Sequence, residues 1–182
     1  EHYQYETWIP KDVERVFAKV MYEDEKIIIV AQGKIDLLFS IPGYLELGIA
    51  DHKTRRKMYE DFEINNQFMM YSWAISSQRV YINEIGFQKT KSSEDRFRRT
   101  PLSYTDSQIS EWIEDTITTI KRMVAYHEMG IAPRNPTSCD KFGGCIYKRW
   151  CKTNREDRDS QRLGREYIIG ETWDVGKELE VK

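Results

Sequence analysis

Two long apolar runs, each ending in charge, constrain this chain more than any other feature. Ile27 to Phe39 (Ile-Ile-Ile-Val-Ala-Gln-Gly-Lys-Ile-Asp-Leu-Leu-Phe) and Leu45 to Thr54 (Leu-Glu-Leu-Gly-Ile-Ala-Asp-His-Lys-Thr) flank a Pro42-Gly43 turn. Runs this rich in β-branched residues, bounded by turn residues, read as buried strands. Successive side chains on a strand point to opposite faces, so Asp51 and Lys53 share one face and His52 takes the other. The strand end therefore aims a carboxylate and an ammonium at one point. An acid on one strand (Asp36) and acid-x-Lys on the next is a way to hold a divalent cation beside a water.

The 182 residues are 40% hydrophobic and 32% charged, which suits one globular domain with a real core. The formal net charge is −2, so any surface that attracts nucleic acid has to be local. No apolar run reaches the ~18 residues of a membrane span, so no membrane partner is expected. No secretory signal is read at the N-terminus. The three cysteines, Cys139, Cys145 and Cys151, fall close together. An odd number at this spacing argues against a disulfide framework and for a reducing compartment.

Along the chain, Val13 to Tyr22 reads as a first strand, Ile27 to Phe39 as a second and Leu45 to Lys53 as a third, forming an antiparallel meander. Ile64, Phe68, Tyr71 and Ile75 recur at helical spacing. Arg79 to Gln88 alternates again, so the strand–helix–strand order predicts a crossover and a parallel pairing. Lys89 to Arg99 reads as an exposed basic loop. Thr105-Asp106-Ser107-Gln108 fits a capping box, opening an amphipathic helix that ends at Gly130. Ile131 to Ser138 is a loop leading to the cysteines.

Each chemical motif has a plain alternative. Asp51-x-Lys53 by itself is also an ordinary ion pair at a strand end. Gln67 and Tyr71, four apart on one helix face, are a hydrogen-bonding pair toward a phosphate or a catalytic shell, or an ordinary surface or core pair. Arg55, Arg56 and Lys57, and the loop bases Lys89, Lys91, Arg96, Arg98 and Arg99 around Phe97, suit phosphate contact and base stacking, or simple solvation. Glu14 on the first strand is within reach of the site. His127, at a helix end, suits a structural role.

Taken in order, Gly33-Lys34-Ile35-Asp36, Asp51-His52-Lys53-Thr54 and Gln67-Phe68-Met69-Met70-Tyr71 resemble the RecB-like branch of the PD-(D/E)xK nucleases, with its GxxD, (D/E)xK and QxxxY motifs. The resemblance implies an α/β fold over the whole chain, 1–182. It would have a restriction-endonuclease-like core at about 13–130, with a mixed central sheet flanked by helices. A small cysteine-containing lobe at about 131–155 and a charged tail at 156–182 would follow.

It implies a Mg²⁺- or Mn²⁺-dependent deoxyribonuclease, in all expectation an exonuclease. Asp36, Asp51 and the His52 backbone carbonyl would be metal ligands, Lys53 the catalytic lysine, and Gln67 and Tyr71 the supporting helix motif. The family also carries an upstream histidine; His2 is the one upstream candidate in this sequence, the alternatives being a residue before Glu1 or none. Cys139-x5-Cys145-x5-Cys151 resembles the C-terminal cysteines that hold a [4Fe–4S] cluster in many members, the fourth ligand here lying outside this chain; reduced thiols in a packed lobe are the alternative. DNA, and a helicase or another recombination or adaptation protein, would be the partners, in the cytoplasm of a bacterial, archaeal or phage-infected cell. The rival function is a nuclease-like module that no longer cuts and serves to bind DNA or dock a partner.

Overall fold

The computed structural model describes residues 7–55, 62–87, 96–131 and 133–158. The chain divides into two compact units, one running to Thr119 and one beginning at Ile120, within a long helix. The first unit is an α/β arrangement built on a mixed five-stranded sheet. Its strands are β1 (Ile9–Glu23), β2 (Ile28–Ser40), β3 (Gly48–Arg55), β4 (Val80–Gly86) and β5 (Phe97–Leu102), adjacent in that order. The expected meander is present: β1 pairs antiparallel with β2, and β2 with β3. The crossover is present too, since β3 and β4 run parallel and are joined through helix α1 (Asn66–Ile75). β5 closes the sheet antiparallel to β4.

Several boundaries differ from the sequence reading, three of them for a clear physical reason. β3 begins at Gly48 rather than Leu45, and Leu45 is fully exposed. Gly48 can enter the sheet there because it has no side chain: a Cβ would sit 2.3 Å from the Phe39 ring. α1 begins at Asn66, capped by the Asn65 side chain, which accepts from the Gln67 N–H. Ile64 therefore lies outside the helix and is 93% exposed, so it is not part of the apolar stripe. Finally, the basic stretch expected to be a loop up to Arg99 becomes strand from Phe97 onward, paired Ile85 to Phe97 and Glu84 to Arg98. Its charges are tolerated in a strand because acceptors on β4 meet them. Pro101 is tolerated because β5 is an edge strand.

The core gathers Phe17, Ile35, Leu38, Ile49, Val80 and Ile82 from the sheet with Phe68, Met69 and Tyr71 from α1. Gly33 packs tightly in it, since a Cβ there would come within 3.1 Å of the Phe17 ring and 3.4 Å of Met70. The turn from α1 into β4 is pinned by two buried serines. Ser72 Oγ donates to the Ser77 carbonyl at 2.6 Å, and Ser77 Oγ donates to the Leu47 carbonyl at 2.5 Å. These bonds fix α1 against the start of β3, which sets where Gln67 and Tyr71 fall.

Helix α2 (Asp106–Glu128) opens with the expected capping box: the Gln108 N–H donates to Thr105 Oγ1 at 3.2 Å and the Thr105 N–H donates to Gln108 Oε1 at 2.9 Å. Trp112, near its start, is buried and donates to Asn66 Oδ1 at 3.1 Å. Its end is a Schellman turn at Gly130 (φ 64), with the Ile131 N–H bonded to the Tyr126 carbonyl and the Gly130 N–H to that of His127. In the second unit, the residues beyond α2 form short 3₁₀ turns at Pro136–Ser138, Lys141–Gly143 and Arg155–Asp157, and helix α3 (Lys148–Lys152). Among the described residues, no helix is long and apolar enough to cross a membrane.

Candidate active site

The site is created where two strands part. β2 and β3 pair over three residues each, Leu37–Phe39 against Gly48–Ala50. Beyond that point β2 continues alongside β1, and β3 alongside β4. Asp36 and Asp51 are the first residues past the last pair. There the His52 N–H has lost its ladder partner, and Asp36 Oδ2 accepts from it instead, at 2.8 Å. A side-chain carboxylate thus satisfies a backbone donor that would otherwise be stranded. That bond holds Asp36 against β3 next to Asp51.

Asp51 is 1% exposed and lies at the centre of a shared network. Lys53 Nζ donates to Asp51 Oδ1 at 3.2 Å and to Gln67 Oε1 at 3.2 Å. Gln67 Nε2 donates to Asp51 Oδ1 at 3.3 Å and to Tyr71 Oη at 2.9 Å. The Tyr71 hydroxyl donates to the Lys34 carbonyl at 2.7 Å. The network also fixes the Gln67 amide orientation. An ammonium only donates and a carboxylate only accepts, so Oε1 must face Lys53 and Nε2 must face Asp51. The helix motif, the acid–lysine motif and the backbone of the glycine–aspartate motif are therefore joined in one chain of hydrogen bonds.

Burial pushes the Asp51 carboxyl above its usual range, the Lys53 hydrogen bond and charge pull it back, and the nearby charge of Asp36 pushes it up again. Burial likewise raises the Tyr71 hydroxyl, keeping it protonated and able to donate. Lys53 Nζ also lies 2.9 Å from Asp51 Oδ2, but outside hydrogen-bonding geometry. The contact is therefore Coulombic, and Oδ2 is a buried acceptor without a hydrogen-bond donor.

That oxygen bears on whether these residues suit a divalent cation. A buried carboxylate, ion-paired with Lys53 and close to a second carboxylate, is a hard-oxygen donor set. Mg²⁺ is commonly held by one or two carboxylates, its other positions going to water and substrate phosphate. Asp36 and Asp51 fit that requirement. Among the described residues no three His, Cys, Asp or Glu side chains converge, and Asp36 and Asp51 are the carboxylates brought together here.

The strand position facing Asp36 is Glu14, between the Val13–Leu37 and Arg15–Ile35 pairs. It adopts φ 55, a left-handed conformation that costs a non-glycine residue roughly 1–2 kcal/mol. Its carboxylate meets Lys34 Nζ at 2.8 Å rather than joining Asp36 and Asp51.

The other expected residues are dispersed. Arg98 and Arg99 belong to β5, not to a loop. Arg98 bonds Glu84, while Arg99 Nε donates to Asn83 Oδ1 at 2.7 Å and its guanidinium lies 3.7 Å over the Trp8 ring. Arg55 lies 3.6 Å from Glu84. Arg56, Lys89, Lys91 and the upstream His2 lie outside the described residues. Cys139, Cys145 and Cys151 are each half-buried and unbridged, and are not gathered into a metal-holding group.

Glu84 and Asn83 were missed by the sequence reading. Glu84 is 0% exposed and Asn83 3%. The signal was present: β4 reads Val-Tyr-Ile-Asn-Glu-Ile-Gly, and two adjacent polar residues interrupt a central strand whose neighbours should be apolar. Asn83 also meets the His52 ring, with its Nδ2 3.3 Å from Nδ1.

No family model and no curated protein matches this chain. Among solved structures, one described as "Crystal structure of SSO0001" is similar at 17% identity with a TM-score of 0.44. The alignment covers 76% of this chain and 58% of that one, so this chain spans less than two thirds of its length. A likeness of that strength assigns neither fold nor activity.

Proposed function

We propose that this chain is a metal-dependent deoxyribonuclease with a restriction-endonuclease-like core of the RecB type. The observation that carries the reading is the single network joining Asp51, Lys53, Gln67 and Tyr71 beside Asp36, where β2 and β3 part. What supports the reading is that residues of three motifs distant in sequence meet in this one network.

Asp36 and Asp51, with the His52 carbonyl, would hold Mg²⁺ or Mn²⁺. When bound, such a cation supplies Lewis-acid stabilisation of charge on the phosphoryl group and of an attacking water. Lys53 stands beside Asp51 as a fixed cation. It orients the water by hydrogen bonding and offsets negative charge as the phosphorane-like transition state forms. Gln67 holds the Lys53 ammonium and the Asp51 carboxylate at a set separation, and Tyr71 anchors Gln67 to the β2 backbone. Burial keeps these groups in a low-dielectric surrounding, where fixed charges act more strongly than in water.

The test is cleavage of single- and double-stranded DNA with Mg²⁺ or Mn²⁺, by the parent and by Asp51→Ala and Lys53→Ala. The parent should cut and both variants should cut at least about 100-fold more slowly, with circular dichroism showing an unchanged fold. A parent that binds DNA without cutting it under any of these conditions would make the chain a nuclease-like binding module instead. End-labelled and circular substrates then separate exonuclease from endonuclease action.

A further inference from the structure

We propose that Asn83 is a positioning residue for the cation of the cleft. With Arg99 behind it, Asn83 clamps the His52 side chain on the reverse face of the sheet and so fixes the His52 backbone. The inference rests on the proposed function for the place of that cation, at Asp36, Asp51 and the His52 carbonyl.

The register places the groups. His52 on β3 pairs with Asn83 on β4, and Asn83 pairs with Arg99 on β5. Directly paired residues share a face, so these three form a row across the sheet. Successive side chains alternate, so the row lies on the face opposite Asp51 and Lys53. The members are joined: Arg99 Nε donates to Asn83 Oδ1 at 2.7 Å, and Asn83 Nδ2 lies 3.3 Å from His52 Nδ1. A guanidinium only donates, so Oδ1 faces Arg99 and Nδ2 faces the imidazole. His52 Nδ1 is then the acceptor, and the proton of the neutral ring sits on Nε2. Arg99 is itself held, its guanidinium 3.7 Å over a Trp8 ring that stacks on Phe39.

The backbone gives this row its consequence. In a strand the N–H and C=O of one residue point to the same edge, and the edge alternates from residue to residue. The Ile49 N–H donates to the Arg79 carbonyl and the Phe87 N–H to the Arg55 carbonyl, both at 2.9 Å, so the odd-numbered positions of β3 face β4. His52 faces the other way, and Asp36 accepts its N–H at 2.8 Å. Its carbonyl therefore points to that same edge, into the gap left where β2 and β3 part. Of the groups His52 itself carries, the side chain is the one that reaches β4. Asn83 thus braces, from behind, the residue that holds Asp36 by its N–H and contributes the carbonyl of the proposed donor set.

A buried amide in a central strand costs stability unless its hydrogen bonds are made, and an apolar residue suits such a position better. Asn83 is 3% exposed, whereas the ring it holds belongs to an exposed residue. Groups that orient a metal ligand without touching the metal commonly account for about 10–100-fold in its affinity.

The measurement is Mn²⁺ binding to the full chain without DNA, by calorimetric titration, for the parent, Asn83→Leu, His52→Ala and the double variant. Thermal melts report which variants are folded. Each single variant should bind Mn²⁺ about tenfold more weakly. The double variant should be no weaker than either single, because both changes remove the same brace. A general loosening of the sheet would instead make the losses add, to about a hundredfold.

Folded single variants with parental Mn²⁺ affinity overturn the brace, as do losses that add in the double variant, and so does a parent that binds no Mn²⁺. If Asn83→Leu does not fold, His52→Ala decides by itself, since its side chain is exposed and its removal strands no buried charge. The two readings fail separately. A parent that cuts DNA, with variants that bind Mn²⁺ as it does, keeps the nuclease and removes the brace. A parent that binds Mn²⁺ but never cuts, with the shared tenfold loss in the variants, keeps the brace and removes the nuclease.

Discussion

Two regions of this chain carry chemically capable side chains at suggestive sequence spacing, and they fold to different ends. Around the parting of β2 and β3, residues from three separate motifs are joined in one network around a buried carboxylate. In the segment after α2, Cys139, Cys145 and Cys151 recur every six residues along short 3₁₀ turns and a five-residue helix. Backbone bonds do tie this segment together, with the Cys145 N–H on the Cys139 carbonyl at 2.9 Å and the Cys151 N–H on the Tyr147 carbonyl at 2.9 Å. Yet the three thiols do not form a metal-holding group. The difference lies in the scaffold. On a strand or helix a spacing of two or four residues fixes a direction in space. On irregular backbone a spacing of six fixes only a contour length.

The sharpest way to break the comparison is to remove one side chain from the cleft. Lys53→Ala should lower DNA cleavage by about 10²–10³-fold, the usual scale for deleting one fixed group that stabilises developing charge. If Lys53→Ala cuts at the parental rate with Mg²⁺ present, the cleft is not the active centre. For the cysteine segment the decisive measurement is absorbance of protein purified without oxygen. Thiolate ligation of a [4Fe–4S] cluster would show as a broad visible band that is lost in Cys145→Ser. A colourless, iron-free sample leaves these residues as reduced thiols and makes the contrast between the two regions complete.

A smaller effect tests whether the network acts as a unit. Gln67 touches Asp51, Lys53 and Tyr71 together, but on the proposed reading it touches no reacting atom. Gln67→Ala should therefore lower kcat by about tenfold, near the 1–1.5 kcal/mol of a single hydrogen bond, with little change in KM. Gln67→Glu should be worse, because it sets a second negative charge against Asp51. Equal rates for Gln67→Ala and the parent would reduce the amide to packing.

The sequence made the framework legible where its periods were clean. The meander, the crossover helix and the Thr105–Gln108 capping box all rest on local patterns that tertiary context did not override. β5 was hidden because Phe97-Arg98-Arg99 looks like solvated charge until Glu84 and Asn83 are known to stand opposite. Leu45 and Ile64 were misplaced because an apolar residue next to an element looks like part of it, and only packing against Phe39 or the Asn65 cap decides. The candidate site was legible as three motifs, but its most informative feature was not. That Asp36 receives the His52 N–H depends on where two strands cease to pair, which no local pattern specifies.

The smallest expected effect sets stability in the cleft against its proposed function. Burial is the leading influence on Asp51, and it outweighs Lys53, so the carboxyl is raised above 3.8. The folded protein then holds the Asp51 proton to higher pH than the unfolded chain does. Stability falls as pH rises through that window, and above it the full cost of the buried charge is present. Asp51→Asn removes the charge while nearly keeping the shape, and Lys53 retains Gln67 as an acceptor. In EDTA at pH 7 the variant should melt about 2–4 °C above the parent, the shift that about 1 kcal/mol produces in a domain of this size. The gap should close as pH falls through the ordinary carboxylate range, where both side chains are neutral. Mg²⁺ should reverse the order, because binding at about 100 times the Kd adds about 2.7 kcal/mol to whichever protein still has the ligand. A variant that melts below the parent in EDTA at pH 7 would mean that the Lys53 pairing, not the burial, decides the energy of this carboxylate.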